Sequence, residues 1–120
     1  MKVKKRDGRI VDFNEQKIIR AILAAFESVD GEVSQYAVDK AYNIASYVSG
    51  YFEEDETNTI PGIEEIQDII EKGLMATKRK DVAKAYILYR EERNKIRNKN
   101  SALMKNIHDK LEASNVQNQN

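Results

Sequence analysis

The chain has 120 residues and a mass of 13.8 kDa, which fits one compact domain and is too small for a multidomain enzyme. Its 20 Lys and Arg residues balance its 20 Asp and Glu residues, so no net charge draws the whole chain to nucleic acid or to a membrane. A content of 41% hydrophobic and 33% charged residues is typical of a helical domain, and the absence of cysteine excludes disulfides, thiolate metal ligands and cysteine nucleophiles.

The first predicted element is a β-hairpin formed by residues 2–6 and 9–13. These two short β-prone runs flank the dipeptide Asp7-Gly8, which tolerates positive φ angles at both central positions of a type I′ turn. Asn14 follows at the expected start of a helix, where its side-chain oxygen can accept a hydrogen bond from a free N–H of the first turn.

Four helices are predicted after the hairpin because apolar residues recur there with the spacing of a helix face. The first three span approximately residues 15–28, 34–52 and 63–76, and the fourth carries Val82, Tyr86, Tyr89, Arg93 and Ile96. Gly31 closes the first helix, Ser34 caps the second, and Gly62 is a permissive start for the third. The predicted fold is therefore mainly α, in the α+β class, with a small N-terminal β-hairpin capping a four-helix bundle.

The fourth helix mixes aromatic and basic residues. Its tyrosines Tyr86 and Tyr89 are expected in the core with their hydroxyls at the surface, rather than stacked on a base. Beyond this helix we predict a peripheral linker helix and a frayed polar tail. We therefore divide the chain into a domain over residues 1–97 and a linker segment over residues 98–120.

The sequence lacks signatures of catalysis, metal binding and membrane insertion. The five glycines fit neither a P-loop nor a GxGxxG motif. The single histidine, His108, is expected to be an ordinary surface residue, and the acidic run 53–56 a solvated loop rather than a calcium site. No apolar stretch approaches the roughly 20 residues that cross a bilayer, and no secretory signal is apparent, so we expect a soluble cytoplasmic protein.

One group of residues indicates ligand binding. Lys4, Lys5, Arg6, Asn14 and Lys17 lie close together in the hairpin and the first turn of the first helix. A helix N-terminus offers free N–H groups and a partial positive charge, so phosphates bound there would also meet the hairpin cations. The helix dipole disfavours a cation at the third helical position, where Lys17 stands. The alternative is that these residues are solvated charges beside a turn and that Asn14 is only a cap.

Four motifs, in order along the chain, resemble the ATP-cone family. They are Val3-x-Lys5-Arg6-Asp7-Gly8, Phe13-Asn14-x-x-Lys17-Ile18, Ile63-Glu64-Glu65-Ile66-Gln67-Asp68 and Ala83-x-Ala85-Tyr86-Ile87-x-Tyr89-Arg90. This family is a regulatory nucleotide-binding domain found at the N-terminus of ribonucleotide reductases and in a zinc-ribbon repressor of reductase genes. Residues 94–120 look like the linker into the catalytic barrel of the anaerobic, glycyl-radical class of reductase.

The resemblance implies a non-catalytic domain that binds ATP or dATP, with Mg²⁺, between the hairpin and the helical bundle. The bound nucleotide would set the overall activity of an anaerobic ribonucleoside-triphosphate reductase, and thereby deoxyribonucleotide synthesis for DNA replication. The partners implied are adenine nucleotides, the catalytic domain of the reductase and, through exposed residues of the linker helix, a second copy of the chain.

By position, the resemblance also implies a nucleotide site of eight residues. The basic members would contact phosphates, and the others the base and the sugar. In chain order the eight are Val3, Lys5, Arg6, Asn14, Lys17, Ile18, Gln67 and Lys84.

The non-basic members have distinct implied roles. Val3 and Ile18 would flank the base, Asn14 would read adenine or ribose, and Gln67 would line the sugar pocket. Gly62 departs from the family pattern, since relatives often carry Ser or Thr at that cap position.

Two other functions stay open on the sequence. The first is the ATP-cone of a transcriptional regulator, although this chain lacks the four cysteines of a zinc ribbon and has no net positive charge. The second is a ligand-free helical interaction domain, in which Lys5, Arg6 and Lys17 are surface charges. A rise in melting temperature on adding nucleotide would separate the second from nucleotide binding.

Overall fold

A computed structural model describes the backbone of residues 1–54 and 59–118, and the side chains of those residues apart from 101 and 112–118. The chain divides into two units, Met1–Ile87 and Leu88–Asn120. Every buried apolar residue of the described chain lies in the first unit. Part of the acidic run 53–56 lies outside the described residues.

The N-terminal hairpin pairs strand β1 (Lys2–Lys4) with strand β2 (Ile10–Asp12) in antiparallel register. Val3 faces Val11 at the centre of the pairing. Val3 is buried and belongs to the hydrophobic core, whereas its neighbours in β1 are exposed. The alternation of a strand thus directs one face of the hairpin to the helices.

The turn of the hairpin differs from the predicted type I′ turn. The Gly8 N–H donates to the carbonyl of Lys5 at 3.0 Å, so Arg6 and Asp7 are the central residues and the glycine follows them. Gly8 has a φ of 89°, which a glycine adopts readily. A glycine in the left-handed region after the turn is typical of three-residue connections. Strand β1 ends at Lys4, so both Lys5, whose N–H donates to the carbonyl of Arg9 at 2.8 Å, and Arg6 lie in the connection between the strands rather than in the predicted strand 2–6.

Four helices follow in the described chain. They are α1 (Glu15–Asp30), α2 (Gln35–Glu53), α3 (Ile63–Met75) and α4 (Lys80–Asn118). The predicted fold class, mainly α with a small hairpin, is confirmed. None of these helices is both long and apolar enough to cross a membrane, over the residues that the structure describes.

Helix α4 is longer than predicted. It runs without a break through the boundary at residue 97 and through the tail that we expected to fray, as far as Asn118. No glycine or proline stands between Lys80 and Asn118, so nothing in the local sequence ends the helix.

The helix ends match their predicted caps. The Ser34 side chain accepts from the N–H of Ala37 at 3.2 Å, and Gly31, with a φ of 75°, donates its N–H to the carbonyl of Glu27. Gly62 begins α3 in an extended conformation and contributes no side-chain hydrogen bond. The first turn of α3 therefore keeps N–H groups that no cap satisfies.

The core forms where α1 packs against α2 and α2 against α3. Its largest fully buried side chains are those of Phe26, Ile22, Ile66, Leu74, Val48 and Val82. Tyr86 is buried as predicted, but Tyr89 is 49% exposed, so its predicted place in the core is wrong. The reason is that α4 leaves the first unit after Ile87.

An ion-pair cluster ties the end of α1 to the start of α4. The Nη atoms of Arg79 contact both carboxylate oxygens of Asp30, at 2.5 and 3.0 Å, and its Nε and Nη2 contact Asp81 at 3.1 Å. The guanidinium also lies 5.8 Å from the centre of the Phe26 ring. Hydrogen bonds from Arg79 hold the pKa of both carboxyl groups below their ordinary value.

We expect this cluster to give the first unit a stability that is lost in acid. Because the folded-state pKa values of Asp30 and Asp81 are lowered, their stabilisation is complete above the ordinary carboxyl value of about 4 and disappears as the pH falls below it. Arg79→Met should lower the melting temperature near neutral pH and remove this part of the acid sensitivity. Thermal melts monitored by circular dichroism between about pH 2.5 and about pH 7 measure both effects.

Arg97→Met is the matched control, since Arg97 is exposed on α4 and makes no ion pair with any residue that the structure describes. An Arg79→Met variant with the melting profile of the Arg97→Met control would contradict the role of the cluster.

Candidate functional site

The hairpin is attached to the segment that precedes α3. The Lys4 N–H donates to the carbonyl of Pro61 at 2.9 Å, and Lys4 forms a parallel bridge with Gly62. This contact joins residues that are far apart in the sequence. It brings the turn of the hairpin beside the first turn of α3.

A side-chain contact reinforces this attachment. The Arg6 guanidinium, at the tip of the hairpin, forms an ion pair with Glu64 in the first turn of α3. The Arg6 side chain is 29% exposed and that of Glu64 is 48% exposed, so the pair lies at the surface. Sequence reasoning missed Glu64 as a site residue because an acid in the first turn of a helix is ordinary, and nothing local connects it to Arg6.

The two carboxylates of the hairpin, those of Asp7 and Asp12, form ion pairs with basic residues of the hairpin itself. Asp7 accepts hydrogen bonds from the backbone and side chain of Arg9, which lower its pKa, the backbone bond most strongly. Asp12 pairs with Lys2, and this hydrogen bond lowers the pKa of Asp12. The negative charge opposite Arg6 therefore comes from α3.

Gln67 carries an unsatisfied polar atom. It stands three residues after Glu64 in α3, on the adjoining turn of the same side of the helix. Its Oε1 atom is buried and has no hydrogen-bond partner among the described residues. An unsatisfied buried acceptor costs about 1–3 kcal/mol, so this atom needs a donor from outside the described residues, which a water molecule or a ligand can supply.

The start of α1 contributes a cap and a cation. The side-chain oxygen of Asn14 accepts from the N–H of Gln16 at 3.0 Å, which confirms the predicted cap. Lys17 is exposed at the third position of α1 and makes no ion pair with a described residue. Its neighbour Ile18 is 8% exposed and belongs to the same core cluster as Val3.

The structure brings some of the eight predicted residues together and leaves others apart. Lys5 and Arg6 are adjacent in the hairpin connection, and Arg6 reaches the turn of α3 that leads to Gln67. Val3 and Ile18 belong to the same core cluster. Lys84 is exposed on α4 and, within the described chain, has no hydrogen bond or ion pair with the hairpin.

A groove lies elsewhere in the first unit, between α2 and α3. It has a volume of about 480 Å³, and its lining includes Lys40, Tyr47, Tyr51 and Lys72. None of the eight predicted site residues lines it. The groove is open and its tyrosines are exposed, so it is a less specific place for a ligand than the hairpin and its cations.

The described residues contain no group of three or more His, Asp or Glu side chains placed to hold a metal ion. A divalent cation at the hairpin would therefore need most of its ligands from another molecule, such as the oxygens of a bound phosphate chain.

Comparison with known proteins gives one family match. A family model described as ATP cone domain matches residues 1–95. The chain is 41% identical over 100 residues to the vitamin B12-dependent ribonucleoside-diphosphate reductase of Thermoplasma acidophilum, over 79% of this chain and 12% of that protein.

Two further relatives are reductases of other kinds. The chain is 37% identical to the anaerobic ribonucleoside-triphosphate reductase of Haemophilus influenzae, over 94% of this chain and 15% of the relative. It is 36% identical to the ribonucleoside-diphosphate reductase subunit alpha of Treponema pallidum, over 81% of this chain and 12% of the relative. The chain thus spans only 12–15% of the length of these relatives.

The cap at Asn14 gives a testable consequence for stability. Asn14→Ala removes the acceptor for the Gln16 N–H and should lower the free energy of unfolding by about 1 kcal/mol, whereas Asn14→Ser keeps a capping oxygen and should lose much less. Urea denaturation of the two variants beside the parent measures the difference. Equal losses in both variants would mean that Asn14 stabilises the fold by something other than its cap.

Proposed function

The chain belongs to the ATP-cone family, and on that premise we propose that residues of its hairpin, α1 and α3 bind ATP or dATP as an allosteric effector of a ribonucleotide reductase. ATP-cones are regulatory nucleotide-binding domains of these enzymes. The family match covers the whole first unit and continues along α4 to residue 95.

The observation that carries the proposed site is the position of the hairpin turn. Its Arg6 side chain lies beside the first turn of α3, one turn before the Oε1 atom of Gln67, which is buried and has no hydrogen-bond partner among the described residues. A nucleotide supplies what this arrangement lacks, since it combines phosphate oxygens with hydroxyl or amino donors. The residues present therefore fit such a ligand.

In this proposal the basic residues hold the phosphates. Lys5 and Arg6 approach them from the hairpin connection, and Lys17 approaches from the start of α1, where the helix dipole adds a partial positive charge. Arg6 suits a phosphate because a guanidinium can donate two parallel hydrogen bonds to it. Lys84 of α4 would be a further phosphate ligand by the family resemblance alone, since it has no hydrogen bond or ion pair with the hairpin in the described chain. Mg²⁺ would bind through the phosphates rather than in a cage of protein carboxylates.

Gln67 and Asn14 would face the nucleoside. The Oε1 atom of Gln67 can accept a hydrogen bond from a sugar hydroxyl, while the Asn14 amide stays available to the ligand through its nitrogen. Val3 and Ile18 would then form the apolar floor beneath the base.

We further propose that this chain is not itself catalytic and acts on a reductase catalytic region. ATP and dATP would favour different contacts between the cone and that region, because an effector controls a distant site only by binding its alternative states with different affinity. We propose that the full-length protein is an anaerobic ribonucleoside-triphosphate reductase. We also propose that pairing of two copies through exposed residues of α4 is a means of control.

The two other functions predicted from the sequence have less support. All the relatives named above are reductases rather than transcriptional regulators. A ligand-free interaction domain would use exposed side chains such as Tyr47 and Tyr51 in the α2–α3 groove, but would leave the Gln67 oxygen without a purpose.

Calorimetric titration tests nucleotide binding directly. We expect ATP and dATP in magnesium buffer to bind and GTP to bind much more weakly, with a thermal stabilisation worth roughly 2.7 kcal/mol at about 100 times the dissociation constant. The stoichiometry distinguishes one nucleotide per chain from two. The proposed function would be refuted if none of the three nucleotides gave either binding heat or a thermal shift.

Lysine variants test the location of the site. Lys5→Ala and Lys17→Ala should each remove most of the ATP-induced thermal shift, because they delete cations that would meet the phosphates, and both side chains can be shortened without opening the core. Lys72→Ala is the matched control, since Lys72 is an exposed cation of the α2–α3 groove. Loss of the shift in Lys72→Ala but not in the other two would place the ligand in the groove.

A further inference from the structure

We infer that Glu64 competes with the nucleotide phosphates for Arg6, so that effector binding exchanges an internal ion pair for a ligand contact. This inference rests on the proposed function, and it adds an acidic residue of α3 that limits affinity. Glu64 is not among the eight residues predicted to bind the nucleotide.

Among the residues that the structure describes, Arg6 forms an ion pair with one carboxylate. Its guanidinium pairs with Glu64, while the two carboxylates of the hairpin, Asp7 beside the turn and Asp12 at the open end, are held by Arg9 and Lys2. A phosphate that binds Arg6 must therefore either share the guanidinium with Glu64 or displace it. Sharing is unfavourable, because the carboxylate and the phosphate are both negative and would lie within a few ångströms of each other.

The pair is weak enough to be displaced. Both side chains are partly exposed, and ion pairs of this kind contribute little because water screens them. A polyphosphate presents several negative charges and can also engage Lys5 and Lys17. The ligand therefore has more partners at the hairpin than the single carboxylate of Glu64.

Glu64 also has a favourable environment after Arg6 leaves it. It stands in the first turn of α3, where the helix dipole favours an acid. Gly62, the N-cap residue, contributes no side-chain hydrogen bond to this turn. The ion pair can thus open without leaving a charge in an unfavourable place.

Two consequences follow for the domain. Glu64 neutralises part of the positive charge of the hairpin when no nucleotide is bound, and it lowers nucleotide affinity below what the cations alone would give. Binding also removes the side-chain link between the hairpin and α3, while the backbone bond from Lys4 to Pro61 can stay. The contact between these two elements therefore depends on the ligand.

A pair of neighbouring substitutions tests the inference. Glu64→Gln should tighten MgATP binding by about two- to five-fold, the range expected when an exposed ion pair no longer competes. Glu65→Gln is the matched control, because Glu65 is also an exposed acid of the first turn of α3 but does not pair with Arg6. Both changes remove one charge from the same turn, so calorimetry of the two proteins separates competition for Arg6 from general electrostatics.

A double-mutant cycle makes the test specific to Arg6. In an Arg6→Gln background, Glu64→Gln should improve MgATP binding no more than Glu65→Gln does. Equal affinities of the two single variants, or an undiminished gain in the Arg6→Gln background, would overturn the inference while the wild-type chain still binds ATP. If the wild-type chain binds no adenine nucleotide, the proposed function itself fails and this inference fails with it.

Discussion

The backbone contact between Lys4 and Pro61 fixes the place of the hairpin, and the candidate site depends on it. Two strands of three residues each are too short to be stable alone, so the hairpin needs an external anchor. The anchor has two parts, the hydrogen bond to the segment before α3 and the burial of Val3 in the helical core. Together they carry the basic turn to the first turn of α3.

Charge within the hairpin is balanced in two ways. Asp7 and Asp12 are paired with basic residues of the hairpin itself, so they stabilise its turn and its open end. Arg6 is instead balanced from α3, across the contact between the two elements. Three cations of the hairpin, Lys2, Arg6 and Arg9, thus have carboxylate partners, whereas Lys5 and Lys17 form no ion pair with a described residue. Arg6 at the tip of the hairpin is the residue for which we infer that a phosphate replaces the carboxylate partner, Glu64.

The two faces of α3 serve different purposes. Ile66, Ile70 and Leu74 are buried in the core and hold the helix against α2. Glu64 and Gln67 lie off this buried row, one paired with the hairpin and the other with its oxygen unsatisfied. A regulatory domain needs this combination, because a rigid core must hold the binding residues while a few surface contacts change with the ligand.

The sequence by itself determined the elements and the family. Periodic apolar residues and local caps such as Asn14, Ser34 and Gly31 act over a few positions, so the starts of the helices and the mainly α class were predictable. The predicted turn at Asp7-Gly8 was wrong because several hairpin connections accept a glycine, and the choice depends on strand register. Only the tertiary structure decided that Arg6 pairs with Glu64, that the Oε1 atom of Gln67 is buried without a described partner, and that Tyr89 lies outside the core. Those outcomes depend on contacts between residues far apart in the chain, which no local pattern records.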